Sequence, residues 1–391
     1  MMRSTGVVGR GFQPRRRGHQ RAALLWAIVA AITIQPVDAH KPVTSKYTYS
    51  EDVYPIVKEH CGSCHAPGGV APMSLLTYEA ARPWAESIRL EITAGHMPPW
   101  FGDPSVAPLK DVHKLSPRDI DVVLTWVSGG TPPGPGKPAP VGAVKNVWSR
   151  GRPDVTFSLP AAFTLPAGKN EDTREFLLQT ANDRDRFIAA ADLLPGNASI
   201  VHDAVIYTTA PNRAGSNVLA AWVPGFAPVA ADAGTGFLWR AGEQLAVRIH
   251  YKKTWKYENK PASDRTTVGL YVMKTAGRRD RHDPQGGHGG PGKDIQSIAL
   301  PLTGAVVDED VQALAVRTAA APSDVAVRIE AVRPDGGRLP LGGFSTRSGW
   351  DQRYWLARPA TVPKGTRIEV TTRGTPPGKL QLWLDVVRSS F

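Results

Sequence analysis

Cys61-Gly62-Ser63-Cys64-His65 decides how the N-terminal part of this chain is read. C-x-x-C-H is the c-type haem attachment pattern. Two thiols add to the haem vinyl groups, and the adjoining histidine reaches the iron from the proximal side. The pattern occurs once and uses both cysteines in the chain. Rival readings are a dithiol redox pair and half of a zinc site. A zinc site needs further Cys or His nearby at suitable spacing, and none lies there.

Bacterial haem attachment takes place outside the cytoplasm, and the N-terminus fits that requirement. Arg3, Arg10, Arg15, Arg16, Arg17 and Arg21 precede an apolar run from Ala22 to Ile34, and Val37-Asp38-Ala39 offers a cleavage site. Residues 1–39 read as a secretory signal peptide. The run is short for a bilayer span of ~20 residues, so cleavage is expected over a retained anchor. The expected product is periplasmic or secreted and bacterial, with no transmembrane segment. Cleavage after Ala39 would leave His40 terminal; a stray histidine is preferred there over a copper chelate.

Around the motif, residues 47–130 read as helical and compact, within a domain spanning 40–130. Ser116 is an N-cap, Pro117 stands at N1 and Asp119 at N3, followed by Ile120, Val123, Leu124 and Val127 at helical spacing. Gly129-Gly130 ends that helix. An earlier helix is predicted from about Pro83 to Thr93, with Gly95 as its stop. A Pro- and Gly-rich linker covers 131–152. Beyond it the apolar period changes from 3.6 to 2, clearest in Leu245–Tyr251 and Val325–Glu330. Further strands are predicted at Ser199–Tyr207, Val268–Met273, Ile368–Thr372 and Leu380–Val387. A second, Gly-rich break at 277–294 divides the β region into 153–276 and 295–391. His282 and His288 lie in that break and read as solvated.

Composition agrees with this plan. The 391 residues include 38 Gly and 35 Pro, roughly a fifth of the chain against a usual ~12%, as turn-rich β domains require. The net charge is +12, and residues 1–39 carry six Arg against one Asp, which leaves +7 for the rest. That excess is spread out and accompanies no nucleic-acid-binding motif, so no nucleic-acid partner is expected.

For the sixth iron position the chain offers Met97, 33 residues past Cys64 in Gly95-His96-Met97-Pro98-Pro99-Trp100. Its prolines fix an extended loop that suits presentation of a thioether. His96 is the neighbouring substitute, and Met73 reads as packing. A His/Met pair fills both axial positions and favours electron transfer over oxygen chemistry.

The stretch Tyr49–His65, then Ala71–Trp84 and Met97-Pro-Pro-Trp100, resembles a bacterial family. In it a mono-haem cytochrome c domain precedes a module similar to copper type II ascorbate-dependent monooxygenases, the peptidylglycine α-hydroxylating class. The resemblance implies a multidomain α plus all-β chain: a helical cytochrome c domain followed by two jelly-roll-like β-sandwich domains. It also implies a first copper site. His202 in Ser199–Ile206 and His250 in Val247–Lys252 match that site, with Asp203 standing where the family carries a second histidine. Adjacent strand positions point to opposite faces, so Asp203 need not converge with His202. Arg248 and Lys252 flank His250 and disfavour a cation. The family's second site needs His-x-His and a later Met. No His follows His288 and no Met follows Met273, and Val316–Ser323 occupies the place of the histidines.

The sequence therefore points to an exported mono-haem c-type cytochrome that transfers electrons, its β module a scaffold or docking unit. The expected cofactor is one covalent heme c, and the expected partners are redox proteins. A copper-dependent oxidoreductase using one residual metal site fed by the haem is the alternative reading. A structural subunit that wires a larger membrane respiratory complex is a third.

Overall fold

Among the described residues, strands run from Val155 onward and α-helices fall within Tyr54–Ser128. The structure, a computed structural model, describes residues 44–136, 146–209, 217–232, 234–273, 292–319, 324–374 and 380–389. The signal segment 1–39, His40, and His282 and His288 in the second break lie outside the described residues. Among those described, no helix is long and apolar enough to cross a membrane.

A turn at Tyr49–Val53 leads into α1 (Tyr54–His60), followed by α2 (Tyr78–Ala81), α3 (Ala85–Thr93) and α4 (Pro117–Ser128). α4 begins as its sequence predicts. The Ser116 hydroxyl accepts from the Asp119 N–H, and the Asp119 carboxylate accepts from the Ser116 N–H. Its buried face is Val122, Val123 and Trp126; of the predicted positions Val123 is buried and Ile120, Leu124 and Val127 are half-buried. The bulk of Trp126, 5.8 Å from the Tyr49 ring, turns the helix toward that side. Tyr49, Val57, Leu75 and Leu76 complete this small core.

The chain between α3 and α4 leaves the helical core. Trp100, Ala107 and Leu109 are buried among second-body residues. Gly102 and Leu109 form antiparallel bridges with Phe344 and Leu356. The Asp103 N–H donates to the Gly343 carbonyl at 2.7 Å, and the Ser345 N–H to the Phe101 carbonyl at 2.9 Å. Residues 40–130 thus supply one helical cluster and one strap that belongs to another core.

The first β body contains β1 (Val155–Ser158), β2 (Phe163–Leu165), β3 (Glu171–Leu178), β4 (Arg186–Leu194), β5 (Val201–Thr209), β6 (Asn217–Trp222), β7 (Thr235–Trp239), β8 (Gln244–Lys252), β9 (Ala262–Asp264), β10 (Thr267–Val272) and β11 (Lys293–Asp294). Its sheets run β1-β10-β4-β7-β11 and β3-β8-β5-β6, with β2-β9 as a small third. The second body contains β12 (Gln296–Ala299), β13 (Ala305–Val306), β14 (Val311–Ala319), β15 (Ala326–Val332), β16 (Arg338–Ser345), β17 (Gln352–Val362), β18 (Arg367–Arg373) and β19 (Gln381–Arg388). Its sheets run β12-β19-β14-β17 and β13-β18-β15-β16. Pairing is antiparallel except between β7 and β11. Every strand predicted from alternation is present, with ends shifted by one or two residues.

Leu314, Ala315, Trp355 and Val387 of the second body join the core of the first. A buried ion pair fixes that junction. Arg353 Nε donates to Asp385 at 2.7 Å, and its two terminal nitrogens donate to the carbonyls of Leu219 at 2.9 Å and Val218 at 2.6 Å. Arg353 is 5% exposed and Asp385 fully buried. Removing one partner of such a pair leaves an uncompensated buried charge and costs about 3–5 kcal/mol. Arg353→Ala is expected to lower the urea midpoint by that order. Arg338→Ala, in the exposed network with Glu330 and Glu369, should leave the midpoint within error. Equal effects of the two would refute this assignment.

Candidate haem-attachment turn and histidine–carboxylate cluster

α1 ends at His60, and the chain closes a tight turn through the cysteine motif. The His65 N–H bonds the Cys61 carbonyl at 2.8 Å, and the Cys64 N–H bonds the same carbonyl at 3.1 Å. The i to i+4 closure holds Cys61, Cys64 and His65 on one rigid turn. His65 Nδ1 lies 3.2 Å from the Met73 carbonyl oxygen. A carbonyl only accepts, so this bond places the ring proton on Nδ1 and leaves the Nε2 lone pair available. Burial holds the imidazole below its ordinary pKa.

Burial also pushes the Cys61 thiol up to about 12, Cys64 adding to the effect, and raises Cys64 itself. Both are thiols at neutral pH. A reactive dithiol works as the thiolate, the form that burial disfavours here.

The first β body packs on this turn. Cys64 Sγ lies 3.6 Å from the Pro224 carbonyl oxygen. Gly225 has φ +80°, and a Cβ there would stand 2.1 Å from the Ser63 side chain. Only glycine satisfies both the backbone angle and that approach. The Ser199 hydroxyl donates to the Gly68 carbonyl at 2.8 Å, tying the loop after the motif to the segment that enters β5.

The second group of candidates lies on the sheet β3-β8-β5. His250 on β8 stands opposite Thr173 on β3 and opposite Asp203 on β5. Regular alternation would send His202 and Asp203 to opposite faces, and that expectation fails. A bulge lies between Val201, which opposes Tyr251, and Asp203, which opposes His250, so His202 is the extra residue. Bulges of this kind re-aim a side chain. His202 Nδ1 lies 2.9 Å and His250 Nδ1 2.7 Å from the same Asp203 oxygen, with the rings 5.0 Å apart.

Glu171, which sequence reasoning missed, completes the group. Its Oε1 lies 2.8 Å from His250 Nε2. Thr173 is the direct partner of His250, so Glu171 is its diagonal neighbour on the same face. Nothing local marks it, because Glu171-Asp-Thr-Arg-Glu175 opens β3 with five polar residues. The expected repulsion from Arg248 and Lys252 is also corrected. Arg248 pairs with Asp351 of the second body, and Lys252 Nζ stands 3.8 Å from Glu171. The Trp350 ring, also from the second body, meets His202 edge-on at 5.4 Å.

The cluster's electrostatics follow from these bonds. The hydrogen bond from Asp203, opposed by burial and helped by Glu171, raises His250 above its ordinary pKa. Burial alone would raise Asp203, but the bonds from His202 and His250 outweigh it and hold the carboxyl low. Glu171 is likewise held low: burial is outweighed by the His250 bond and the Lys252 charge. Both His250 ring nitrogens thus face carboxylate oxygens, an arrangement that favours the protonated ring.

Met73 is half-buried in the helical core, and its carbonyl sits on the side of His65 away from Nε2. Met97 is 41% exposed beyond α3, and His96 Nδ1 is bonded to Glu91 at 3.1 Å. No hydrogen bond or ring contact joins Met97 or His96 to His65 among the described residues. In the second body Arg317 lies on β14, within the stretch Val316–Ser323 that the resemblance sets against the histidines of a second copper site and whose residues 320–323 lie outside the described residues. Its guanidinium stacks 3.8 Å from the Trp383 ring centre, and burial lowers its pKa to about 10.

No family model and no curated protein matches the chain. Among solved structures, the PBSX exported protein XepA gives a TM-score of 0.17 at 10% identity, covering 64% of this chain and 90% of that one. A Paenibacillus xanthan lyase gives 0.15 at 12% identity, over 66% of this chain and 28% of the lyase. A fucolectin from striped bass (Morone saxatilis) serum gives 0.15 at 8% identity, over 58% and 86%. Similarity at this level carries no functional argument.

Proposed function

We propose that the chain is an exported mono-haem c-type cytochrome that passes electrons between redox proteins, its two β bodies serving as scaffold and docking unit. The observation that carries this reading is the Cys61–His65 turn, with His65 Nδ1 committed to the Met73 carbonyl. Those residues fit haem c: Cys61 and Cys64 would hold it through thioethers, His65 Nε2 would ligate the iron, and Met97 would supply the sixth ligand. When bound, haem c supplies a one-electron Fe(III)/Fe(II) couple. The Met73 carbonyl sets the tautomer and ring orientation of His65. Pro224 and Gly225 cover the attachment turn on the side of Cys64. The order of a helical segment and two β bodies supports the resemblance to cytochrome-fused copper monooxygenase-like proteins, with residues 1–39 as the export signal.

The convergence of His202, Asp203, His250 and Glu171 favours a second reading, a copper-dependent oxidoreductase. Two imidazoles and two carboxylates form an N/O donor set suited to Cu(II). A copper ion bound there would supply a second one-electron centre. The Ser199–Gly68 bond, three residues before His202, ties that strand to the attachment loop. Both His250 nitrogens already face carboxylates, so a metal must displace a proton and re-aim one carboxylate.

Protein from a periplasm that matures c-type cytochromes, loaded with Cu(II) and desalted, separates the two. One iron and no copper per chain is the expected result; one copper that His202→Ala abolishes would move the assignment to the second reading. A reduced-minus-oxidised spectrum without a c-type α-band would overturn both. Met97→Ala should abolish the sulfur-to-iron charge-transfer band and lower the potential. An unchanged spectrum would remove Met97 from the sixth position.

The cluster also predicts a pH dependence of stability. The lowered Asp203 pKa stabilises the fold above the ordinary carboxylate value of ~3.9, and that contribution is lost as pH falls through the folded value. The raised His250 pKa contributes fully below ~6.5 and is lost as pH rises through its folded value. Urea midpoints should show a maximum between those limits that is flattened in Asp203→Asn. An identical profile in the variant would show that the cluster stores no stability.

A further inference from the structure

β6 ends on Trp222, whose indole N–H donates to the buried Asp192 carboxylate at 3.1 Å. The chain then turns at once, with the Phe226 N–H bonded to the Val223 carbonyl at 3.3 Å. Val223 is buried, whereas Pro224 and Phe226 are half-buried and Gly225 is exposed.

Three consecutive residues of this turn touch the helical part of the chain. The Pro224 carbonyl oxygen lies 3.6 Å from Cys64 Sγ, across a sequence separation of 160. Gly225, at φ +80°, comes so close to Ser63 that a Cβ would stand 2.1 Å from both its Cβ and its Oγ. Phe226 lies flat on His113 of the strap, ring centres 4.1 Å and planes 9° apart. The Ser199 hydroxyl adds a second tie, to the Gly68 carbonyl just past the motif. The first body thus grips the cysteine motif and the loop that follows it.

We propose that the Val223–Phe226 turn is a positioning element of the haem site, closing the Cys64 side against water and so raising the reduction potential. The inference rests on the cytochrome reading above. A thioether formed at Cys64 would lie under Pro224. Ferric iron carries one more positive charge than ferrous iron, and water stabilises that charge better than a packed cover does. Excluding water therefore favours the reduced state. The Pro224 carbonyl works against this, because its negative end faces the sulfur. Water admitted in its place would offer the same dipole and reorient freely, so opening the turn lowers the potential on balance.

The test compares two glycines of equal backbone demand. Gly242, between β7 and β8, has φ +77° and nothing within 4 Å of where a Cβ would stand. Gly225→Ala and Gly242→Ala therefore add similar strain, and only the first pushes the turn off Ser63. The measurement is a redox titration of the full chain from a periplasm that matures c-type cytochromes. Gly225→Ala should be reduced roughly tenfold less readily than wild type, a potential lower by about 59 mV for one electron. Gly242→Ala should match wild type. With Ser63→Gly the nearest atom of residue 63 is its Cα at 3.5 Å, an ordinary contact, so adding that change to Gly225→Ala should restore the potential. Phe226→Ala loses the His113 stack without backbone strain. It should shift the potential in the same direction, and it keeps the inference testable if Gly225→Ala does not fold.

Hydrogen exchange on the same preparations reads the closure without using the iron. It should accelerate at residues 61–69 and 222–229 in Gly225→Ala and not in Gly242→Ala. A Gly225→Ala potential equal to that of Gly242→Ala, no rescue by Ser63→Gly, an unshifted Phe226→Ala, or unchanged exchange at 61–69 would each overturn the proposal. A missing c-type α-band would overturn the cytochrome reading and the potential with it, while the exchange rates would still decide whether the turn closes the motif.

Discussion

A guanidinium withdrawn from water must be met by a carboxylate or by carbonyls placed around it, and Arg353 is met by both. Asp385 lies on β19 beside β14 in its own body, whereas Val218 and Leu219 belong to β6 of the other. Apolar faces alone tolerate sliding; three directional bonds to a buried cation do not. Arg353 also stacks on Phe237, 4.6 Å from the ring centre. Its immediate predecessors in the chain also reach across the junction, alongside Leu314, Ala315, Trp355 and Val387. Trp350 meets His202 and Asp351 meets Arg248, so the anchored segment carries second-body side chains onto the histidine cluster.

The cluster shows how a group of metal-type ligands satisfies itself. Two carboxylates held close repel each other unless a cation stands between them. A protonated His250 suits that place, because Asp203 and Glu171 each face one of its ring nitrogens. A metal and this proton compete for the same place. Arg248 is removed from the competition by Asp351, and Lys252 is partly balanced by Glu171.

Legibility from sequence followed the range of the interactions. The cysteine motif and the Ser116–Asp119 capping box are local, set by residues within a turn, and both are visible in the sequence. Strands with one wet and one buried face were visible too, Gln244–Lys252 most plainly. β14, buried at all but its second and last residues, and β4, whose Ala190–Leu193 are all buried, carry no clean alternation and left no such mark. The orientation of His202 was misread because a bulge breaks the period-two rule at one residue, and its cause lies in the pairing with β8. Glu171 was invisible because its role depends on strand order, a non-local property. Trp100 was read with the cysteine motif from sequence proximity, but it meets the Tyr354 ring at 5.8 Å in another core.

That misplacement of Trp100 bears on how the helical part is held. Its own core is small, centred on Tyr49, Val57 and Trp126, and small cores are marginal. The strap adds apolar anchors outside it, and backbone bonds from Asp103 and Phe101 to β16 make the strap an extra edge segment of the second body. On the other side Pro224, Gly225 and Ser199 of the first body meet Ser63, Cys64 and Gly68. The Cys61–His65 turn thus has one face built by residues more than a hundred positions away. A helical fragment cut at the first linker would lose the cover over Cys64 and leave Trp100 and Leu109 in water. The β bodies are therefore part of the environment of the cysteine motif.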